Sequence, residues 1–419
     1  MTEVFKFGGA SVKDAEGIKN LAQIVKLNSN KNLLIVVSAM GKTTNALEEL
    51  TKSYINQDEN VNEIFSAVKD YHFHILENLF AHNHKVFDEV ANTFVEIDWI
   101  IEEEPAENHD FVYDQIVSLG ELVSSKIVAA YLEQEGIQTR WLDARSYIHT
   151  DNTYREGQVD WDKTRSAIQK LNENISKSCC VTQGFIGGTS ENYTTTLGRE
   201  GSDYTAAIFA SCFNAEAVTI WKDVPGVLNA DPKLFNNTLK YEELSYTEAL
   251  EMTYYGATVI HPKTIKPLKA ANIPLYVKPF MFPEQKGTVV KNVTDSVIKT
   301  PAIIVKNEQV LISLTTKDSS FITENHLSDI FKVFAEMNIK INMIQNSAIS
   351  FSACFDFNDL RFEKIQEQLK DYYNFKYNTG LKLLTVRHPK QNLIDELSEG
   401  KTILMEQISR NTAQLVIKD

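Results

Sequence analysis

Five short segments of this 419-residue chain combine glycines, hydroxyls and charged side chains where a strand pattern gives way to a helix pattern. The richest is Gly184–Asp203, in which Arg199, Ser202 and Asp203 lie just ahead of an apolar helical pattern over Tyr204–Phe213. Backbone N–H groups at a helix start attract anions, glycines permit close approach, and arginine can hold a carboxylate or phosphate through two parallel bonds. The segment predicts a site for phosphate or carboxylate transfer.

Two further segments follow the first and second predicted strands. Lys6–Ser11 (KFGGAS) offers a lysine and a glycine pair that could surround phosphate oxygens, with a tight turn and a surface lysine as the alternative. Ser38–Asn45 (SAMGKTTN) offers hydroxyl and amide groups that could hold a small polar substrate or cap the next helix.

The last two segments supply carboxylates. Ser118–Glu121 (SLGE) is expected to open a helix, where the Glu121 carboxylate either interacts with the helix dipole or meets a substrate ammonium group. Trp221–Lys233 leaves a strand through a proline-glycine turn at the carboxyl end of the sheet, where open α/β folds bind ligands. Its Asp223 and Asp231 could contact ribose or a metal, or only complete their own turn.

The elements that position these segments alternate between strand and helix, and the strands are apolar almost throughout, as in Leu33–Val37. Such strands suit a parallel sheet covered on both faces, so we expect an α/β fold, an open and mostly parallel αβα sandwich, over residues 1–295. A polar helical excursion without glycine is expected at about 56–110. It contains four histidines at i, i+2 spacing, interpreted as solvated helix residues and not as metal ligands: His72, His74, His82 and His84.

The pattern changes near residues 291–301, and a second region is expected over 301–419. Its order of strand, helix, strand, strand, helix, strand is ferredoxin-like. One complete unit is expected at about 308–375, and a further helix and hairpin would form an incomplete second unit.

Composition excludes several classes of function. A formal net charge of −14 argues against nucleic acid or an anionic membrane as partner. The chain shows no basic and apolar leader and no run of about 20 apolar residues, so a cytoplasmic location is expected. The cysteines show no CxxC spacing and are expected to be reduced: Cys179, Cys180, Cys212 and Cys354.

Together and in this order, the five segments closely resemble the aspartokinases, the aspartate kinase branch of the amino acid kinase family. The resemblance runs from Lys6 through His261-Pro262 into the C-terminal region. It implies that ATP with Mg²⁺ phosphorylates the β-carboxylate of L-aspartate, giving 4-phospho-L-aspartate. That reaction is the first step in the synthesis of lysine, threonine and methionine.

The resemblance also implies roles for individual residues. Arg199 would hold the substrate α-carboxylate and Glu121 would face its ammonium group, helped by the hydroxyls of Ser38, Thr44 and Ser202. Lys6 would stabilise the transferring phosphoryl group and Asp203 would organise the phosphate end. The nucleotide would contact Lys6, Gly8, Gly9, Ser11, Lys222, Asp223, Leu228, Lys233 and Thr258. Five positions depart from the family's residues: Ala10, Lys222, Leu228, Lys233 and Thr258.

The region after about Pro301 resembles the paired ACT domains through which end-product amino acids inhibit these kinases. The resemblance implies a monofunctional enzyme and a homodimer or larger homo-oligomer formed through these domains. Lysine-sensitive relatives carry glycine, aspartate and glutamate where this chain has Asn325, Asn342 and Ala348, so two carboxylates that would pair with a cationic effector are missing. Inhibition by lysine is therefore expected to be weak or absent; abolition of activity by sub-millimolar lysine in a steady-state assay would contradict this.

Two alternatives compete with this interpretation. One is another amino acid kinase, acting on glutamate, acetylglutamate or a nucleotide; Glu121 and Arg199, a matched pair for a free amino acid, count against it. The other is a non-catalytic regulatory subunit, which would be expected to have lost Lys6, Arg199 or Asp203, and all three are present.

Overall fold

The apolar strand patterns of the first part of the chain form the centre of an eight-stranded sheet in the computed structural model, which describes residues 2–175, 179–257, 260–293 and 300–419. The strands of this sheet are β1 (Thr2–Phe7), β2 (Asn32–Val37), β3 (Thr139–Leu142), β4 (Cys179–Gln183), β7 (Ala217–Lys222), β8 (Glu243–Ser245), β9 (Leu275–Pro279) and β10 (Thr288–Lys291). The order of strands in the sheet is β3-β4-β2-β1-β7-β9-β10-β8, and all neighbours run parallel except β9 and β10. A separate two-stranded ribbon pairs β5 (Ile186–Gly188) with β6 (Thr194–Thr196).

Helices connect these strands, and the first shows why they form. Asp14 precedes α1 and its carboxylate accepts a hydrogen bond from Gly17 N at 2.8 Å, while Ile18, Leu21 and Val25 bury one face. The helices of this part are α1 (Ala15–Leu27), α2 (Thr43–Asn56), α3 (Val61–Leu79), α4 (Val86–Glu102), α5 (His109–Gln134), α6 (Trp161–Ile175), α7 (Gly201–Phe213), α8 (Tyr246–Tyr255) and α9 (Pro262–Ala271), with a 3₁₀ turn at Ala144–Ser146.

The core lies on both faces of the central strands. Residues Leu33–Val37 are buried without alternation, as a sheet covered on two sides requires. On one face the ring of Phe7 stacks on that of Trp221, with 6.1 Å between centroids. The predicted αβα sandwich is confirmed.

The C-terminal region forms a six-stranded antiparallel sheet in the order β12-β13-β11-β14-β16-β15. Its elements are β11 (Ala302–Thr316), α10 (Glu324–Glu336), β12 (Ile341–Asn346), β13 (Ser350–Asp356), α11 (Asp359–Leu369), β14 (Tyr373–Arg387), α12 (Gln391–Ser398), β15 (Thr402–Ile408) and β16 (Thr412–Lys418). The ferredoxin-like order from β11 to β14 is as predicted. Strands β11 and β14 are long because they pair with each other beyond the ferredoxin-like part. Residues 302–306 of β11 lie opposite residues 383–387 of β14, and this part of β14 also pairs with β16.

The chain divides into two compact units. The first comprises Met1–Val227, Lys240–Leu250 and Thr258–Ser296. The second comprises Leu228–Leu239, Glu251–Ala257 and Val297–Asp419. Two short segments that precede residue 295 thus belong to the second unit.

Candidate active site

Four neighbouring strands of the large sheet end level with one another. In the parallel register Phe7 lies opposite both Val37 and Trp221, and Val37 lies opposite Gln183. The next residues along each strand or just beyond it therefore meet at one edge: Gly8, Ser38, Gly184 and Lys222. Ligands of open α/β sheets bind at this carboxyl edge.

Two lysines flank one buried carboxylate at this edge. Asp203 Oδ1 lies 2.6 Å from Lys6 Nζ, and Asp203 Oδ2 lies 3.3 Å from Lys222 Nζ. Burial alone would raise the pKa of Asp203, but the two ammonium groups outweigh it and hold that pKa below its usual range. Burial also opposes the charged form of Lys222, yet Asp203 raises the pKa of Lys222. Two positive charges around one negative charge leave a net positive cluster, which suits an anion.

The turn after β1 brings two glycines against this cluster. A Cβ at Gly9 would lie 2.6 Å from the carbonyl oxygen of Ala39, so only glycine lets the two turns approach this closely. Ser11 N donates to Gly8 O at 2.9 Å and closes the turn. Lys6 is 6% exposed, which contradicts the alternative of a surface lysine beside a turn.

Glu121 lies in the middle of α5, so the prediction that Ser118–Glu121 opens a helix is wrong. Gly120 is used for packing and does not mark a helix start. A Cβ there would lie 3.0 Å from Thr43 Cγ2 and 3.1 Å from Leu47 Cδ1. The helix dipole therefore has no special effect on Glu121, because that effect is confined to the terminal turns.

The Glu121 side chain is buried, and its Oε2 has no hydrogen-bond partner among the described residues. Burial raises the pKa of Glu121 to about 8, although the Ala39 backbone amide, Lys6 and the Gly184 backbone amide act in the opposite direction. A buried carboxyl group with an unused oxygen is suited to receive a cation that arrives with a ligand.

The segment that carries Arg199 begins as a strand. Residues Thr194–Thr196 form β6, which pairs with β5, so part of the Gly184–Asp203 segment is a two-stranded ribbon. Three consecutive threonines are β-branched and favour a strand. Gly198 (φ 75°) and Glu200 (φ 56°) then turn the chain through the left-handed region, and α7 starts directly after Glu200.

Residues from the turns after β1 and β2, from α5 and from the Gly184–Asp203 segment line one cavity of about 660 Å³, a size typical of small-molecule sites. Helix α2 begins at Thr43, and the residue at its N-cap position is Lys42, so Ser38 does not cap that helix. Asp203 and Lys222 join the site through their ion pairs with each other and with Lys6. The predicted residues that line the cavity itself are Lys6, Gly9, Ser38, Thr44, Glu121, Arg199 and Ser202.

The remaining predicted nucleotide contacts are more dispersed. Asp223 is exposed beside Lys222 in the first unit, whereas Leu228 and Lys233 belong to the second unit. Asp231 Oδ1 accepts a hydrogen bond from Lys233 N at 2.9 Å, which is the turn alternative for that aspartate. Thr258 lies outside the described residues. Nucleotide contacts by these side chains stay predictions.

Four cavity residues were not anticipated from the sequence: Glu48, Tyr113, Arg155 and Glu156. The Tyr113 hydroxyl donates to Glu48 at 2.6 Å, and the guanidinium of Arg155 lies 4.0 Å from the centroid of the Tyr113 ring. In the sequence, Asp114, Ser118 and Glu121 recur at i, i+4 and i+7 and mark one polar face of a helix, but this pattern points to none of the four residues.

His72 is buried, so its interpretation as a solvated residue is wrong. Its Nδ1 lies 2.7 Å from Val68 O and its Nε2 lies 3.3 Å from Thr43 Oγ1. Burial lowers the pKa of His72 to about 4, which makes it a neutral residue that joins α3 to α2. In residues 2–175, 179–257, 260–293 and 300–419, no group of three or more His, Cys, Asp or Glu side chains could hold a metal ion.

Helix α5 has the length and composition of a membrane span. In its most apolar 18-residue window, 89% of the residues are buried inside the protein, as in the core helix of a soluble protein. None of the four cysteines, all of which lie in the described part of the chain, forms a disulfide bond.

Comparisons with known proteins agree with this geometry. A model of the amino acid kinase family matches residues 1–279. The lysine-sensitive aspartokinase 3 of Escherichia coli K12 is 31% identical over 354 residues, which cover 84% of this chain and 78% of that protein. The chain belongs to the aspartokinases of the amino acid kinase family.

Other aspartokinases show the same relation. Chloroplastic aspartokinase 1 of Arabidopsis thaliana is 29% identical over 386 residues, covering 89% of this chain and 66% of that protein. The crystal structure of E. coli aspartokinase III in complex with aspartate and ADP superimposes with a TM-score of 0.85 and 27% identity, covering 100% of this chain and 96% of that one. The predicted activity, that of an aspartate kinase in amino-acid biosynthesis, is confirmed, and so is the fold.

Proposed function

We propose that the 660 Å³ cavity holds aspartate and the phosphates of ATP side by side. The α-ammonium group of aspartate pairs with Glu121 and its α-carboxylate pairs with Arg199, while hydroxyls of Ser38, Thr44 and Ser202 complete the site. The observation that carries this assignment is Glu121, a buried carboxyl group with an unused oxygen in the same cavity as Lys6. A free amino acid supplies the cation that Glu121 lacks.

In the proposed reaction, a β-carboxylate oxygen of aspartate attacks the γ-phosphorus of ATP. The new P–O bond forms as the bond to the β,γ-bridging oxygen breaks, and ADP leaves with the electron pair. A carboxylate is already ionised at neutral pH, so no general base is required. Catalysis then depends on alignment and on stabilising charge at the transferring group, for which Lys6 is the proposed residue and Asp203 its organiser.

We assign the phosphates of the nucleotide to Gly8, Gly9, Ser11 and Lys6, with Lys222 beside them. The ion pair between Lys222 and Asp203 supports a phosphate contact for Lys222. Contacts with ribose and adenine are proposed for Asp223, Leu228, Lys233 and Thr258.

Mg²⁺ is proposed to enter with ATP. The Asp203 carboxylate is the acidic group at the phosphate end, and both of its oxygens already pair with lysines. With both oxygens so occupied, Asp203 offers no free ligand, and the ion is proposed to be held by phosphate oxygens and water, as Mg²⁺ commonly is. Such an ion would offset phosphate charge.

For the C-terminal region we propose a regulatory role, with homodimers or larger homo-oligomers formed through it, in a cytoplasmic enzyme. Light scattering after size exclusion tests the oligomer, and a monomer at micromolar concentration would refute it. Weak or absent lysine inhibition stays a prediction. It is supported by Asn342, whose Oδ1 already accepts a hydrogen bond from Lys306 Nζ at 2.8 Å.

The test of substrate is an ATP-dependent hydroxamate assay with L-aspartate, L-glutamate and N-acetyl-L-glutamate. Turnover of aspartate is expected, and Arg199→Ala should raise the KM for aspartate by about tenfold or more because a charged hydrogen-bond partner is lost. Arg140→Ala, at an exposed position on β3, is the matched control and should leave KM unchanged. Turnover of glutamate or acetylglutamate without turnover of aspartate would refute the proposal.

A further inference from the structure

A second buried carboxylate of α5 lies behind the cavity wall. Asp114 is 0% exposed and does not line the cavity. Its Oδ2 accepts hydrogen bonds from Thr196 N at 2.8 Å and from Arg155 N at 2.9 Å, and its Oδ1 accepts from the Thr196 hydroxyl at 2.7 Å. Two separate chain segments are thus fastened to one helix through a single side chain.

Both fastened segments carry arginines that line the cavity. Thr196 is the last residue of β6 and lies three positions before Arg199, while Arg155 is itself a cavity residue. The segments are also joined to each other, because Gly157 N donates to Thr196 O at 2.8 Å. Movement of Asp114 would therefore displace both arginines together.

Arg155 shows that this arrangement is imposed by its surroundings. Its φ of 66° lies in the left-handed region, which is unfavourable for a residue with a side chain. Its backbone N–H is held by Asp114, and its guanidinium lies over the Tyr113 ring on the adjacent position of α5. Non-glycine residues in this conformation persist where the surroundings hold them and are concentrated at functional sites.

We propose that Asp114 is a positioning residue for the amino-acid end of the cavity, acting through Thr196 and Arg155 on the placement of Arg199. The inference rests on the proposed function, since Arg199 is there the partner of the substrate α-carboxylate. A carboxylate suits this role because it accepts from all three donors at once. Asparagine at the same place would turn an N–H₂ group toward donors and lose at least one of these bonds.

The test compares Asp114→Asn with a milder change, Thr196→Val, which removes only the hydroxyl donor. Asp114→Asn is expected to raise the KM and Kd for aspartate about tenfold, and Thr196→Val about threefold. The KM for ATP should stay within about twofold, because neither change touches Lys6 or Asp203. A merely structural role would lower the melting temperature and leave the two KM values in their original ratio.

Asp151→Asn is the matched control. Asp151 orders the same exposed segment that carries Arg155 but does not fasten it to α5, since its three donors, two backbone N–H groups and one threonine hydroxyl, all lie within that segment: Thr153 N, Thr153 Oγ1 and Gln158 N. Its removal should leave the KM for aspartate within about twofold of the parent value. An equal rise in both variants would overturn the proposal, since it would show an effect of loop order alone.

The remaining outcomes separate a failure of this inference from a failure of the proposed function. An unchanged KM for aspartate in folded Asp114→Asn overturns the inference while the parent enzyme still phosphorylates aspartate. If Asp114→Asn does not fold, Thr196→Val carries the test, and an unchanged KM there overturns the inference as well. A parent chain that neither binds nor phosphorylates aspartate refutes the proposed function itself, and the inference with it.

Discussion

The site contains two buried carboxyl groups, Glu121 in the cavity wall and Asp203 behind Lys6, and the two groups behave in opposite ways. Asp203 is enclosed by Lys6 and Lys222, which hold its pKa below the usual range. Glu121 has no comparable ion pair within the described part of the chain, and burial raises its pKa to about 8. Burial is common to both, so the difference comes from the cations.

This difference separates two functions of a buried acid. A carboxylate that is already neutralised, such as Asp203, fixes the positions of cations that then face an anionic ligand. In the proposed function, a carboxyl group that is left without an ion pair, such as Glu121, has its charge completed by the ligand. The same helix α5 adds a third case in Asp114, whose oxygens are taken up by hydrogen-bond donors instead of charges.

The largest change in catalytic rate is expected for Lys6, one of the two lysines that neutralise Asp203. Lys6→Ala should lower kcat by about a hundredfold to a thousandfold, because charge on the transferring group loses its nearest cation, while the KM for aspartate changes little. Steady-state kinetics measure both. Lys19→Ala on the exposed face of α1, where the lysine pairs with Glu16, is the control and should leave kcat unchanged. An unchanged kcat in Lys6→Ala would reject the role of Lys6.

Asp203→Asn tests how much the ion pairs of Asp203 with Lys6 and Lys222 stabilise the protein. The buried Lys6 and the half-buried Lys222 would lose their counter-charge, and the free energy of unfolding in urea should fall by about 3–5 kcal/mol. Asp98→Asn removes a carboxylate from a partly exposed pair with Lys69 and should cost about 1 kcal/mol or less. Equal losses in the two variants would show that the enclosure of Asp203 has no special energetic importance.

The pH dependence of aspartate binding tests the protonation state assigned to Glu121. With a pKa of about 8, Glu121 is mostly protonated at pH 6, whereas an ammonium group requires the carboxylate. The affinity for aspartate should therefore fall about tenfold for each pH unit below 8, with release of a proton on binding. Calorimetry in buffers of different ionisation enthalpy measures both quantities.

Glu121→Gln is the control for that experiment. It should bind aspartate weakly and without this pH dependence. Because the folded pKa of Glu121 lies above its ordinary value, its ionisation costs stability as pH rises from about 4.5 to about 8, and the variant should lose this fall in stability. Equal aspartate affinity of the parent enzyme at pH 6 and pH 8 would contradict the assigned state of Glu121.

The fold class and most of the charged and hydroxyl groups of the cavity follow from the sequence alone. Continuous apolar strands such as Leu33–Val37 can be buried only between two helical layers, and a strand followed by glycines or hydroxyls places those groups at the carboxyl edge. These are local signals, since neighbouring residues produce them. The gathering of Lys6, Glu121, Arg199 and Ser202 into one cavity followed from them.

The surroundings of each buried group, by contrast, depend on the tertiary structure. The segment Ser118–Glu121 has the composition of a helix start, yet Gly120 serves a close crossing with Thr43 on α2; His72 has the polarity of a solvated residue, yet its ring lies against the same threonine. The pKa values of Asp203 and Glu121 depend in the same way on residues far apart in the chain, because burial and charge are set by whatever packs around a group in three dimensions.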